Sequence, residues 1–441
     1  MRYSEFVFDN YRYDPAGNSL SLRYRFAGGP GFEEKLSFDF VRRALSEDEE
    51  RVLDRMFRLI FLFAGVSYYK AFIPERLVCT AFPVDPETAE FVTRFYRKGL
   101  GEFAWRNRVS LDLRFDLDRI AAPAPLRLDL PRLTCVPVGG GKDSVVTLEC
   151  LKRAGEPVVL FSLGEAAPIA DCIAVSGLPS FRVYRRLDPA LFALNREGAL
   201  NGHVPITGIL SAIALAAAVL FGFDAVAMSN EHSASAPNLV SNGVAVNHQF
   251  SKSLEFERDL SEYVATHISP NIRYFSLLRP LSEIEIARRF AGRPEYFTSF
   301  LSCNTAFRQS PAERGRQWCG ACPKCRFVFL ALAPFAGKPE LTRIFRRNLL
   351  DDDNQTSGFA ALCGLSEHKP FECVGETSES AATMAYLGRE PAWRDAVVVR
   401  RLHQAYPVLR RSTPEDFAAL LAARHPHRVP ARYQAMLDAG G

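Results

Sequence analysis

The chain has 441 residues, 48% of them hydrophobic and 24% charged, with a formal net charge of +4. That length accommodates two or three domains with cores of their own, and the apolar fraction excludes a disordered chain. The charge is too small to imply a nucleic-acid partner, no window reaches the roughly 18 uninterrupted apolar residues of a membrane span, and Met1-Arg2-Tyr3-Ser4-Glu5 has no signal-peptide core; the expectation is a cytoplasmic protein acting on a small anionic molecule.

Residues 1 to about 45 alternate apolar and polar (Phe6-Val7-Phe8, Ser19 to Phe26, Lys35 to Phe40) between turn residues, which predicts three or four antiparallel strands. From Ser46 the period becomes helical, with an apolar face through Leu53, Met56, Ile60 and Phe63, and a second helix is expected from about Pro86 to Asn107. We read 1–125 as an α+β unit ending in the Pro-rich linker Ala121 to Pro125; binding the tail of a substrate is the role open to it. From 133 to 335 strands (near 134–138, 158–162, 181–184, 225–229 and 272–276) alternate with helices (near 143–154, 206–222, 253–266 and 282–291). This predicts an α/β fold, a doubly wound parallel sheet with ligands at the carboxyl ends of its strands. Residues 336–441 read as a mainly helical, basic packing region.

The stretch Cys135 to Glu149 runs from an apolar strand through Gly139, Gly140 and Gly141 into Lys142-Asp143-Ser144 and a helix. Glycines let backbone approach an anion, and the free N–H groups of a first helical turn favour negative charge. Asp143 would repel a phosphate unless it holds Mg²⁺ or caps the helix. This is neither a Walker A loop nor a dinucleotide fingerprint. It resembles the SGGxDS loop of the PP-loop ATP pyrophosphatases, of adenine nucleotide α-hydrolase-like fold, with Gly139 where most of them have Ser. A Gly-rich turn that binds nothing, or that senses ATP without turnover, is the plainer alternative.

Polar clusters follow the strands. His203 lies in Asn201-Gly202-His203-Val204-Pro205-Ile206-Thr207, which is otherwise a loop and helix cap. Ser229-Asn230-Glu231-His232-Ser233-Ala234-Ser235 follows a strand directly, the place for ligand contacts. His248 and Lys252, four apart, would share a helical face and could bind phosphate or move a proton; a solvated cap is the alternative. Arg279 could fork onto a carboxylate or phosphate, or form a salt bridge. Cys303, Cys319, Cys322 and Cys325 supply four soft ligands within a short segment, which suits structural tetrahedral Zn²⁺; an iron–sulfur cluster uses the same ligands and is the second choice. Asp351-Asp352-Asp353 reads as a solvated loop, and His368-Lys369-Pro370-Phe371-Glu372-Cys373-Val374-Gly375-Glu376 as a loop dense in acid and base groups.

Taken in order, GGGKDS, NGHVPIT, SNEHSAS, VNHQFSKSLEFE, SLLRPLSE, the cysteine cluster with FVFLALAPF after it, and HKPFECVGE resemble the ATP-dependent UDP-N-acetylmuramoyl-L-alanyl-L-glutamate epimerases of bacterial peptidoglycan synthesis. The related 7-cyano-7-deazaguanine synthases share the loop and a four-Cys zinc site but not the other blocks. The resemblance implies inversion of Cα of the terminal L-Glu of a UDP-muramoyl dipeptide, with ATP going to AMP and diphosphate. It implies that Gly139 to Ser144 cradle ATP, with Lys142 neutralising phosphate charge and Asp143 holding Mg²⁺. His248 and Lys252 are the first candidates for proton transfer, with Glu231, His203 and Cys373 behind them. Asn201, Asn230, Ser233, Asn247 and Arg279 are the candidate substrate contacts. One departure is Arg346-Arg347, where a Gly is expected. A PP-loop enzyme that amidates or thiolates a nucleobase or tRNA is the alternative function.

Overall fold

The computed structural model describes residues 3–241, 244–307, 314–366 and 369–439. The early alternation forms three antiparallel strands, β1 (Glu5–Asp14), β2 (Ser19–Phe26) and β3 (Gly31–Asp39). Parallel to β1 lies β4 (Arg76–Cys79), which carries the short β5 (Arg114–Phe115). Helix α1 (Glu47–Ala64) starts where expected, because Ser46 and Glu49 close a capping box, and it buries Leu53, Met56, Ile60 and Phe63. The helix expected from Pro86 to Asn107 is two, α2 (Pro86–Gly99) and α3 (Gly101–Asn107), since Leu100 between them leaves helical geometry.

The second half of the sheet is parallel: β6 (Thr134–Pro137), β7 (Val158–Leu163), β8 (Ser180–Arg186), β9 (Ala225–Met228) and, after the hairpin of β10 (Leu239–Ser241) and β11 (Val244–Val246), β12 (Arg273–Ser276). All but the hairpin belong to one ten-stranded sheet, ordered β12-β9-β6-β7-β8-β3-β2-β1-β4-β5. The chain steps from β6 to β8 in one direction and then returns to lay β9 and β12 on the far side of β6. The crevice between the carboxyl ends of β6 and β9 is therefore the topological switch point, where such sheets bind ligands. β3 pairs antiparallel with β8, so strands of residues 1–125 and strands of 133–335 share the sheet. Across that joint Arg185 and Glu34 form a buried two-pronged pair at 2.6 and 3.0 Å.

Side chains of the parallel strands alternate between two cores. Cys135, Val159, Phe161, Val183, Val226 and Tyr274 join the core that holds α1 and the long apolar helix Ile206–Ala217. Val136, Val158, Leu160, Ala225 and Phe275 join the other, with the loop helix Lys142–Arg153, the helix Glu283–Ala291 and the helix Pro323–Leu332. A period of two buried on both sides means helices on both faces, the expected double winding. The C-terminal helices pack on the second core, and Tyr433 reaches back to share a 2.8 Å hydrogen bond with Thr134 on β6. No helix of the described residues is long and apolar enough to cross a membrane.

Arg346, where a Gly was expected, ends the helix Lys338–Phe345 with φ +62°. A side chain in this left-handed region is strained, so Arg346→Gly should stabilise the fold by about 1 kcal/mol. Urea unfolding checks this; an unchanged or lowered midpoint contradicts it.

Candidate active site

A cleft of about 500 Å³ opens at the switch point, lined by the Gly-rich loop, by Ser229 and Asn230 after β9, and by His203, His248, Lys252 and Cys373. The loop is built as its composition requires. Gly140 has φ +76°, and a Cβ there would lie 3.0 Å from Pro168 and 3.1 Å from the Ile169 nitrogen. Gly141 begins the helix Lys142–Arg153 without any side-chain cap, which leaves first-turn N–H groups to donate. At Gly139 nothing lies within 4 Å of an added Cβ, so a Ser would fit in its place. Ser144 Oγ donates back to the Gly141 carbonyl at 3.2 Å. Lys142 is buried and joins two carboxylates, its neighbour Asp143 and, at 2.5 Å, Glu283 at the start of the helix Glu283–Ala291. Those anions outweigh its burial and raise its pKa. Glu283 also receives Glu379, whose carboxylate accepts from the Glu283 N–H at 3.0 Å and whose pKa burial pushes up to about 7.

The four cysteines meet. Sγ separations are 3.9 Å for Cys303–Cys322, 3.7 Å for Cys319–Cys325 and 3.5 Å for Cys322–Cys325. A tetrahedral ion with bonds of about 2.3 Å would space its sulfurs by about 3.8 Å, so the set could hold a metal such as zinc. Gly320 makes the knuckle at φ +66°, and Pro323 starts the helix that carries Cys325. The cluster touches the loop through its own chain: Leu301 N–H donates to the Gly140 carbonyl at 2.7 Å, and Ser302 lies 3.4 Å from where a Gly141 Cβ would be.

Opposite the loop, a chain of ionisable groups crosses the cleft. Glu102, on the helix Gly101–Asn107, accepts from His248 Nδ1 and pairs with Arg106. His248 and Cys373 line the same cleft, and Lys252 Nζ stands 3.5 Å from Cys373 Sγ. The ring of His203 lies on that of His248, centroids 4.2 Å apart. The segment holding Cys373 is clamped by Trp105 against Phe371 (4.9 Å between rings) and by Asn304, which donates to Glu372 at 2.6 Å.

Burial alone would push the Cys373 thiol up, but Lys252 and then the His248 hydrogen bond bring it down to about 6. Against its burial, His248 is raised to about 9 by its hydrogen bonds with Cys373 and Glu102. Lys252 is raised too, by Cys373, Glu231 and Asp143 against burial. His203 goes the other way, to about 4, through burial and the His248 charge. At neutral pH the cleft thus holds a thiolate, an imidazolium, an ammonium and a neutral imidazole. Glu102, His203 and His248 lie close enough to share an ion. Arg106 and Lys252 both act on this group, and two fixed cations disfavour a third. Outside the metal cluster, Cys79, Cys135, Cys150, Cys172 and Cys363 are all pushed up by burial. Iodoacetamide at pH 7 should therefore label Cys373 ahead of those five, with a rate that rises through about pH 6. Peptide mapping checks this; uniform labelling contradicts it.

The family model described as the MurL N-terminal domain matches residues 1–277, and that of the MurL C-terminal domain matches 299–417. A protein of Xanthomonas oryzae pv. oryzae named UDP-N-acetyl-alpha-D-muramoyl-L-alanyl-L-glutamate epimerase is 42% identical over 97% of this chain and 95% of its own. Proteins of the same name from Salinispora tropica and a Micromonospora species are also 42% identical, each over 98% of this chain and 95% and 97% of theirs. The chain belongs to the MurL family.

Within this MurL fold the expected site residues take different places. Gly139, Gly141, Lys142, Asp143, Ser144, Asn230, His203, His248, Lys252 and Cys373 line or abut one cleft. His248 and Lys252 share no α-helical face: His248 precedes the 3₁₀ turn Phe250–Lys252, and that turn ends with Lys252 beside Cys373. Glu231 is buried beside Lys252, acting on it by charge. Asn247 braces its loop, donating to the Ala234 carbonyl at 2.9 Å and accepting from the Gln249 N–H at 2.7 Å. Asn201 is exposed and bonded to Lys70, and Ser233 is buried with no partner for its hydroxyl among the described residues. Arg279 is fully buried: it pairs with Glu257 at 3.0 Å and holds the backbone carbonyls of Glu231 and Lys252, so it fixes two cleft loops from behind. His368 lies outside the described residues. Sequence reasoning missed Glu102, Glu283 and Gln249, and named Ser229 only as a member of its cluster. Glu102 and Glu283 read as ordinary first-turn acids of helices, and only Ser229 carried a signal, its place right after a strand. Ser229 and Gln249 line the cleft, and their buried Oγ and Oε1 have no protein partner among the described residues.

Proposed function

We propose that this protein inverts Cα of the terminal L-Glu of UDP-N-acetylmuramoyl-L-alanyl-L-glutamate in the cytoplasm, at the expense of ATP, which becomes AMP and diphosphate. The reading is carried by one juxtaposition: a Gly-rich helix N-terminus fit for phosphates shares a cleft with Cys373, His248 and Lys252. It is supported by the full-length likeness to proteins named for that epimerase activity.

The two halves of the cleft need each other chemically. A proton beside a carboxylate is very weakly acidic, because the enolate would carry a second negative charge. Transferring the adenylyl group to the carboxylate removes that charge and lets the carbonyl take up electron density. Gly139 to Ser144 cradle the phosphates of ATP through backbone donors. Lys142 lies beside that cradle, and Asp143, exposed enough to reach a ligand, is the residue that would hold Mg²⁺, which supplies charge neutralisation at the phosphates. Lys252 and His248 are the proton carriers, and Cys373 is the anion common to both, with Glu102 also acting on His248 and Glu231 and Asp143 on Lys252. Zinc on the four cysteines is structural in this reading, since all four protein ligands are present and no position is left for substrate.

The test is incubation with ATP, Mg²⁺ and the UDP-muramoyl dipeptide in deuterium oxide. AMP release that depends on the dipeptide, with deuterium at the glutamyl Cα and a D-Glu product, is expected. AMP without deuterium exchange points to ligation or thiolation, and absence of both overturns the reading.

A further inference from the structure

We propose that Cys373 acts as a nucleophile, its Sγ attacking the adenylated glutamyl carbonyl so that Cα is inverted while the substrate is held as a thioester on the enzyme. This rests on the epimerase reading and deepens it. The observation is a three-part alignment drawn from distant parts of the chain. Glu102 binds His248 Nδ1, His248 and Cys373 line the same cleft as the Gly-rich loop, and Lys252 Nζ stands 3.5 Å from Cys373 Sγ. Nucleophile, base and a third group that orients the base are the arrangement of covalent catalysis by cysteine. Glu102 holds the Nδ1 side of the ring and so orients the imidazole. The packing of Trp105 on Phe371 and of Asn304 on Glu372 holds the Cys373 loop still, as an attacking atom requires.

The bonds balance. The Cys373 S–C bond forms as the C–O bond to AMP breaks, and the electron pair leaves with AMP, whose charge replaces that of the thiolate. The thioester also changes the resting site, where Lys252 and His248 are both protonated and the thiolate helps to hold their protons, beside Glu102 at His248 and Glu231 and Asp143 at Lys252. Once sulfur is acylated that anion is gone, and Lys252, 3.5 Å away, can release its proton to solvent. The free amine takes the Cα proton, and His248 returns one to the other face. Water then adds to the carbonyl and the C–S bond breaks with its electron pair on sulfur; one proton of that water restores His248, the other leaves to solvent, and Lys252 already carries the Cα proton.

The experiment mixes the full-length protein with ATP, Mg²⁺ and the UDP-muramoyl dipeptide for a single turnover, quenches in acid and weighs the intact protein. The expected result is an adduct of the dipeptide substrate less water, mapped to Cys373 and removed by neutral hydroxylamine. Cys373→Ala should lack the adduct and lose inversion by at least about 10²-fold. Glu102→Gln should slow adduct formation by about 10²-fold with unchanged ATP affinity, which a merely structural role would not do. Wild type that exchanges deuterium at Cα with no adduct at any quench time, or Cys373→Ala that inverts within about ten-fold of wild type, overturns the thioester and leaves the epimerase standing. Wild type with neither exchange nor AMP overturns both.

Discussion

Replacing Lys252 by Met should lower the rate of glutamyl inversion by about 10²- to 10⁴-fold, the range a general acid–base group supplies, while AMP still forms in a first turnover. Lys252 stands 3.5 Å from Cys373 and bonds it directly, yet its backbone is held independently, by Arg279 on its carbonyl at 2.5 Å. The loop should therefore survive the loss of the side chain. Arg in the same place should fail as badly, because a guanidinium does not give up its proton in a protein. The variant also carries an internal check. Lys252 is the largest influence lowering the Cys373 thiol, so without it the thiol pKa rises, and iodoacetamide labelling of Cys373 must shift to higher pH. Chiral analysis of the glutamate, Cα deuterium content and the labelling profile measure these three effects. Inversion within ten-fold of wild type would remove Lys252 from the chemistry.

The second large effect is expected from the cysteine cluster. Cys303→Ala or Cys325→Ala should lower metal content, melting temperature (by about 5 °C or more) and AMP formation together. Both side chains are buried, and each loss leaves the remaining thiolates one ligand short of a tetrahedral set. The link to nucleotide chemistry is short. Two residues before Cys303, Leu301 donates to the Gly140 carbonyl at 2.7 Å, and that carbonyl also faces Cys172 Sγ at 3.8 Å. A loosened cluster therefore frees the back of the loop that must hold its N–H groups in place. Metal analysis, thermal melts and AMP release on the same preparation decide it. Metal-poor protein that melts and cleaves ATP as before would separate the cluster from both roles.

What could be read along the chain is what depends on a few neighbouring residues. Gly139 to Ser144 announced a strand-to-helix anion loop because glycine φ freedom and an uncapped first turn are local properties, and Gly140 does sit at φ +76°. The spacing of Cys319, Cys322 and Cys325 announced a metal knuckle because close ligands leave few geometries. Alternating periods announced a sheet covered on both faces. Tertiary structure decided the rest. Glu102 and His248 are 146 residues apart and Lys252 and Cys373 are 121 apart, and they meet only through tertiary packing, which brings a helix, the segment after the β10–β11 hairpin and a loop beyond the last strand together. Arg279 looked like a ligand fork and became a buried brace, since Glu257 and two backbone carbonyls surround it. Lys142 shows the same limit: its neighbour Asp143 was visible, whereas Glu283 arrived from the start of a distant helix. Local pattern determines which groups stand at the ends of strands, but the pairing of those strands determines which groups touch, and a charge acts on whatever it touches.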